Sequence, residues 1–340
     1  MSLGLIVVAS LATLIFPGLG QGLAGRRIRM VAFAAFDVVA TLAVLVSVWF
    51  ALVNLTCRIV ASIDAWRCLR GGDSARRANW TLTAIAVLIG AVGMAASDQV
   101  IEGFKIPSSS MYPTLVIGDH VYVDKLSVRW KPPERGEVMV FTQPCSRYTF
   151  IKRVIALPGD TVEVRCSIVY VNGKALPATL VDAHASYQDH DESRGEWIAR
   201  QCSRYRESHG GHSYETFSDA ERPERGTTTA DVHDFPRRER AFLPPSCTQS
   251  GFYEPKPGAV TQPIGKIVET KLESEASACE PQLHFVVPAG GFFVMGDNRN
   301  NANDSRNWGV VPNELVIGRP VGIYYSNIVE GGWSRFGALE

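Results

Sequence analysis

The first 97 residues carry eight Arg, three Asp and neither Lys nor Glu, and long apolar runs separate these charges. Residues 1–25 have no charge at all, Met30–Val53 is a 24-residue run with Asp37 as its one charge, and Trp80–Ala96 is a 17-residue uncharged run. A helix crossing the hydrocarbon of a bilayer needs about 20 apolar residues, with about 17 as the lower limit. The region 1–97 is therefore expected to be a helical membrane region with two to four apolar segments. Pro17, Gly18 and Gly20 interrupt the first run, which reads as a kinked span or a re-entrant segment. A cleavable leader fits poorly, because no basic stretch precedes the first run and more apolar segments follow.

Arg clusters mark the cytoplasmic side of a membrane. One is Arg26, Arg27 and Arg29; the other is Arg58, Arg67, Arg70, Arg76 and Arg77, directly before the last run. Everything after Ala96 is then expected outside the cytoplasm. The stretch 30–66 holds either one crossing or a tight helical hairpin, and the number of spans stays open.

Residues 98–340 are different, with 26 basic and 31 acidic groups. The whole chain has a formal net charge of zero, which argues against a uniformly basic nucleic-acid binder. Short β-branched and aromatic runs lie between Gly and Pro turns: His120–Val123, Val138–Phe141, Tyr148–Ile155, Thr161–Val164, Ile168–Val171, Lys266–Thr270, His284–Val287, Phe292–Met295 and Val321–Tyr325. Pro158-Gly159-Asp160 and Asn172-Gly173 are strong turn signals. Short strands without intervening helices predict an all-β domain, a barrel or sandwich, over 98–340. Residues from about 178 to 262 are polar and read as a long surface insertion with some local strand.

Three clusters carry candidate chemistry. In Ile106-Pro107-Ser108-Ser109-Ser110-Met111-Tyr112-Pro113-Thr114-Leu115 the serines sit between prolines, where the backbone is expected to be extended. Ser108 and Ser110 would then point the same way. One hydroxyl would attack and the other would donate to a developing oxyanion. In Thr149–Ile155, a strand apolar on both faces, Lys152 is a candidate base: a desolvated amine has a lowered pKa. Arg153 next door competes for the inward position. The third cluster, Met295–Arg306, is dense in turn formers, and Asp304 with Arg306 is expected to form an ion pair that holds it. His209 and His212 make only a weak zinc pattern, and no metal is expected.

Together these clusters resemble bacterial type I signal peptidases, membrane serine proteases that remove signal peptides from exported proteins. The matching blocks are Ser108–Leu115, Arg135-Gly136-Glu137-Val138, Lys152–Asp160, and Gly296-Asp297-Asn298-Arg299 through Asp304-Ser305-Arg306. Four blocks in the family's order are specific. The resemblance implies Ser110 as nucleophile and Lys152 as general base, with an acyl-enzyme between. It implies an oxyanion hole from Ser108 Oγ and the Ser110 N–H. Phe104, Ile106, Met111, Leu115, Phe150 and Ile151 match positions that shape a pocket for a small residue before the cleaved bond. It implies exported preproteins as substrate, no cofactor, and a multi-pass place in the bacterial inner membrane with the catalytic domain outside. Two departures stand out: Ala302 and Asn300 replace the family's frequent Ser and Asp. Ala302 leaves open an inactive envelope scaffold of the same fold; a narrow-scope Ser–Lys maturation protease is a separate alternative.

Cys145, Cys166, Cys202, Cys247 and Cys279 lie in the part expected outside, where disulfides form. Five is odd, so at least one stays unpaired unless it bonds another chain. Cys247 with Cys279, flanking the end of the insertion, is the preferred pair.

Overall fold

The computed structural model describes residues 3–43, 49–70, 99–146, 148–191, 194–219, 233–237, 243–247, 261–277, 279–326 and 332–338. Helices α1 (Leu3–Ile15), α2 (Leu19–Leu23), α3 (Arg27–Ala43) and α4 (Trp49–Arg70) form the N-terminal part. Gly18, at φ 99°, turns the chain from α1 into α2. α3 and α4 run antiparallel, because Arg29 pairs with Asp64 (2.6 Å) and Asp37 with Arg58 (2.9 Å). Asn54 Nδ2 also donates to Asp37 Oδ1 (2.9 Å).

The described residues do not confirm the expected transmembrane region. Among the described residues no helix is long and apolar enough to cross a membrane. α4 has the length, at 22 residues, but carries Asn54, Arg58, Asp64, Arg67 and Arg70. The run Met30–Val53 covers most of α3 and the start of α4, with 44–48 outside the described residues, and the run Trp80–Ala96 lies outside them as well.

From Ile101 onward the described residues are mainly strands: β1 (Ile101–Lys105), β2 (His120–Asp124), β3 (Val138–Thr142), β4 (Thr149–Ala156), β5 (Thr161–Arg165), β6 (Ile168–Val171), β7 (Lys174–Ala175), β8 (Ala178–Asp191), β9 (Glu196–His209), β10 (His212–Asp219), β11 (Lys266–Glu269), β12 (Leu283–Val286), β13 (Gly291–Met295), β14 (Val311–Pro312), β15 (Val316–Tyr325) and β16 (Gly337–Ala338). An eight-stranded sheet has the order β1-β2-β15-β3-β4-β13-β14, with β16 on β15. A five-stranded sheet has the order β11-β12-β5-β6-β7. Asn172 and Gly173, both at positive φ, close the β6–β7 hairpin, as a turn of this kind requires. Each of the nine expected strand runs falls on a strand.

The polar insertion holds a third sheet, order β10-β9-β8, with two strands of 14 residues. Its inward positions are largely polar, with Asp189, Ser203, Glu207, Thr216 and Ser218 buried. A hydropathy reading therefore undervalues it. It is stitched to β4 and to the loop after β13: His209 Nε2 bonds Ile155 O on β4 (2.7 Å), and Phe217 exchanges backbone bonds with Asp297 and Arg299.

Two disulfides tie the insertion's return. Cys145 pairs with Cys247 and Cys166 with Cys279, so the expected Cys247–Cys279 pair is not formed. Antiparallel pairing of β12 with β5 brings the chain before β12 beside the end of β5, and thus Cys279 beside Cys166. Cys202 stays free and buried. Burial pushes its thiol up to about 12, which leaves it unreactive.

Candidate active site

β1 ends three residues before the serines and delivers them to the sheet's rim. Ser108 is extended, at φ −133° and ψ 158°, but Ser109–Met111 form a single 3-10 turn. The expected extended run through Ser110 is thus broken after Ser108. The two hydroxyls nevertheless adjoin, with Ser108 Oγ 3.2 Å from Ser110 Oγ. The middle serine turns inward instead: Ser109 Oγ donates to Asp189 Oδ1 on β8 (2.5 Å).

β4 brings Lys152 to the serines. Lys152 Nζ donates to Ser110 Oγ (2.8 Å) and to Ile151 O (2.9 Å). Lys152 is only 4% exposed, opposite Met139 on β3, with its amine 5.1 Å from the centre of the Phe150 ring. Burial lowers its pKa from 10.5 to about 8, against the opposing pull of the Asp304 and Asp297 charges. Roughly a tenth of the amine is then neutral at pH 7, far more than for a solvated lysine, and able to accept a proton.

Arg153, the rival for the inward place, is buried as well, on the other face of β4. Its Nε and Nη2 reach the two carboxylate oxygens of Asp297 (2.8 and 2.6 Å), and Nη1 reaches Gly136 O (2.7 Å). Its guanidinium lies 3.7 Å from the centre of the Tyr214 ring of β10.

Asp304 and Arg306 pair through two bonds of 2.8 Å. Asp304 caps the short helix Ser305–Trp308 and accepts from Gly296 N (3.1 Å). Gly296 abuts the Ser110 carbonyl so closely that a Cβ there would collide with it and with Ala302 Cβ. The loop therefore supports the serine turn from behind. Asn298 completes the support: its backbone N donates to Ser110 O (3.2 Å) and its Nδ2 to Ser109 O (3.1 Å).

Of the six expected pocket residues, Ile106, Met111 and Leu115 are buried in one cluster, with Phe104 and Ile151 packed against it. Phe150 packs against a different cluster, around Met139 and Phe141. Alternation along β4 separates it from Ile151 and leaves it on the Lys152 face.

The signal peptidase, peptidase S26, family profile matches residues 77–325. The chain belongs to that family. The signal peptidase I of Aquifex aeolicus is 32% identical over 243 residues, covering 68% of this chain and 78% of its own. That of Pseudomonas fluorescens is 28% identical over 251 residues, covering 67% and 66%. A solved signal peptidase I from Enterococcus faecalis is 24% identical, covers 56% of this chain and 97% of its own, and has a TM-score of 0.25. Family membership makes this chain a serine endopeptidase.

Sequence reasoning missed the groups that the insertion sends to this family's motifs. Arg299 and Glu207 of β9, both buried, approach to 2.7 Å. Asn301 Nδ2 donates to Asp189 Oδ2 (2.9 Å) and to Ser109 Oγ (3.0 Å). The one signal available in sequence was alternation within a polar strand, where inward Asp and Glu look like solvated ones.

Proposed function

We propose that this peptidase cleaves N-terminal signal peptides from exported preproteins, with Ser110 as nucleophile and Lys152 as general base. The 2.8 Å approach of a buried, pKa-lowered amine to Ser110 Oγ carries this reading. Ser110 Oγ attacks the carbonyl carbon of the scissile bond, and its proton passes to neutral Lys152 Nζ. Ser108 Oγ and the Ser110 N–H receive the oxyanion. The C–N bond then breaks as the Lys152 ammonium protonates the leaving amine, and an acyl-enzyme remains on Ser110. Lys152, neutral again, takes a proton from water as it attacks the ester carbonyl; the acyl C–O bond breaks, and the Lys152 ammonium returns the proton to Ser110 Oγ, freeing the acid product and the enzyme.

An extended substrate adds along β1, at the rim of the eight-stranded sheet. Main-chain hydrogen bonds give affinity there, and side-chain pockets give specificity. Residues 1–97 hold the enzyme at the bacterial inner membrane as a multi-pass region, with 98–340 on the outer side. The Arg clusters and apolar runs support that placement.

The test compares purified full-length protein with Ser110→Ala on an exported preprotein. Wild type should release the signal peptide, and Ser110→Ala should leave the preprotein intact. An unchanged pattern in Ser110→Ala would favour the scaffold reading.

A further inference from the structure

The insertion reaches the nucleophile's turn through one carboxylate. Asp189, near the end of β8, is 9% exposed and has three partners. Its Oδ1 accepts from Ser109 Oγ (2.5 Å), and its Oδ2 accepts from Asn301 Nδ2 (2.9 Å) and Arg200 Nε (2.7 Å). Asn301 Nδ2 also donates to Tyr187 OH (3.2 Å). The Tyr187 ring stacks on Phe217 of β10 and meets Tyr112, next to the serine turn, edge-on. The second strand of the hairpin supplies Arg200, whose ion pair with the carboxylate orients it.

A single 3-10 turn has few hydrogen bonds of its own and is held by what surrounds it. Asn298 holds the Ser109 and Ser110 carbonyls. The Ser109 side chain is a further handle, held by Asp189 together with Asn301, which Asp189 itself anchors. Ser110, the next residue of the same turn, meets Lys152 Nζ, so rotation of the turn would move Ser110 Oγ away from the amine. Misplacement by about 1 Å can cost a hundredfold in rate.

We propose that Asp189 is a positioning residue for the nucleophile: through Ser109 it holds the turn that presents Ser110 to Lys152. The insertion is then a working part of the catalytic body. This inference rests on the Ser110–Lys152 reading above.

The test is a double-mutant cycle on the full-length protein with one preprotein: wild type, Ser109→Ala, Asp189→Ala and the double variant, beside Ser110→Ala. Each single change should lower kcat roughly tenfold or more with KM within about threefold, as expected for lost orientation rather than lost binding. The double variant should be no slower than the worse single one, because both remove the same link. The rate should still rise with pH through the same apparent pKa, since Lys152 keeps its burial. Asp189→Asn, which retains an acceptor oxygen for Ser109, should recover most of the rate.

Multiplying losses in the double variant would overturn the proposal, as would a change confined to KM or a kcat in Asp189→Ala within about twofold of wild type. Should Asp189→Ala fail to fold, Ser109→Ala decides alone, since it removes one hydroxyl and must still lower kcat at constant KM. Cleavage by Ser110→Ala would instead sink the dyad reading. Full activity of Asp189→Ala beside an inert Ser110→Ala would sink only the positioning role.

Discussion

Lys152 and Arg153 are neighbours on β4, point to opposite faces and are both buried, at 4% and 1% exposure. Their surroundings differ. Arg153 holds both oxygens of Asp297 and stays an ion pair. Lys152 meets a serine hydroxyl and a carbonyl, neither of which carries a charge. One strand thus supplies a structural cation and, two atoms of backbone away in the opposite direction, an amine that is easily neutralised.

The pH dependence follows from that difference. With Lys152 lowered to about 8, the protonated and inactive form prevails below that pH. kcat/KM should rise about tenfold per pH unit on the acid side and level off above about pH 8. A pH–rate profile on one preprotein checks this, and a midpoint above about 10 would mean that the amine is not desolvated.

Lys152→Arg should abolish cleavage although it keeps the charge. Guanidinium does not deprotonate in proteins, so no base would remain for Ser110. Single-turnover cleavage over hours is the measurement, and substantial activity would remove Lys152 from the base role.

Ile106, Met111 and Leu115, which we propose as the wall of the pocket before the cut, are close-packed in one cluster. It should accept Ala, Gly or Ser immediately before the cut and reject Phe or Leu by overpacking, at a cost of about 1–3 kcal/mol. Relative kcat/KM values for preproteins varied at that one position check the assignment. Equal cleavage of Ala and Phe forms would show it to be wrong.

Gly296→Ala should both destabilise and inactivate. Its new Cβ would strike the Ser110 carbonyl and Ala302 Cβ, and neither belongs to a flexible chain end. A loss of about 1–3 kcal/mol is expected from such overpacking. Thermal unfolding and cleavage, measured side by side, should both fall.

Ala302→Ser should raise turnover about two- to tenfold or not at all. One hydrogen bond is worth about 0.5–1.5 kcal/mol net, and a factor of ten in rate corresponds to about 1.36 kcal/mol. If the natural protein were inert while Ala302→Ser cut efficiently, the dyad would be natively disabled and the scaffold reading would be the better one.

Local sequence determined the strands and the motifs. Val, Ile, Phe and Tyr runs bounded by Gly and Pro mark β2–β6 and β11–β13, because turn chemistry and strand propensity act over a few residues. Ser110, Lys152, Asp304 and Arg306 were legible as motif members for the same reason. Tertiary structure alone decided what depends on distance across the chain. Residues 42 apart in sequence placed Ser110 Oγ against Lys152 Nζ. The choice between Lys152 and Arg153 dissolved, since both turn inward and only their partners tell them apart. The Cys166–Cys279 pair followed from β5 meeting β12. The insertion's role was hidden most deeply. Asp189, Glu207 and Tyr214 read as surface residues by composition, yet they are buried against the motifs. A charged side chain reveals its environment only through its partners, and those partners lie on other strands.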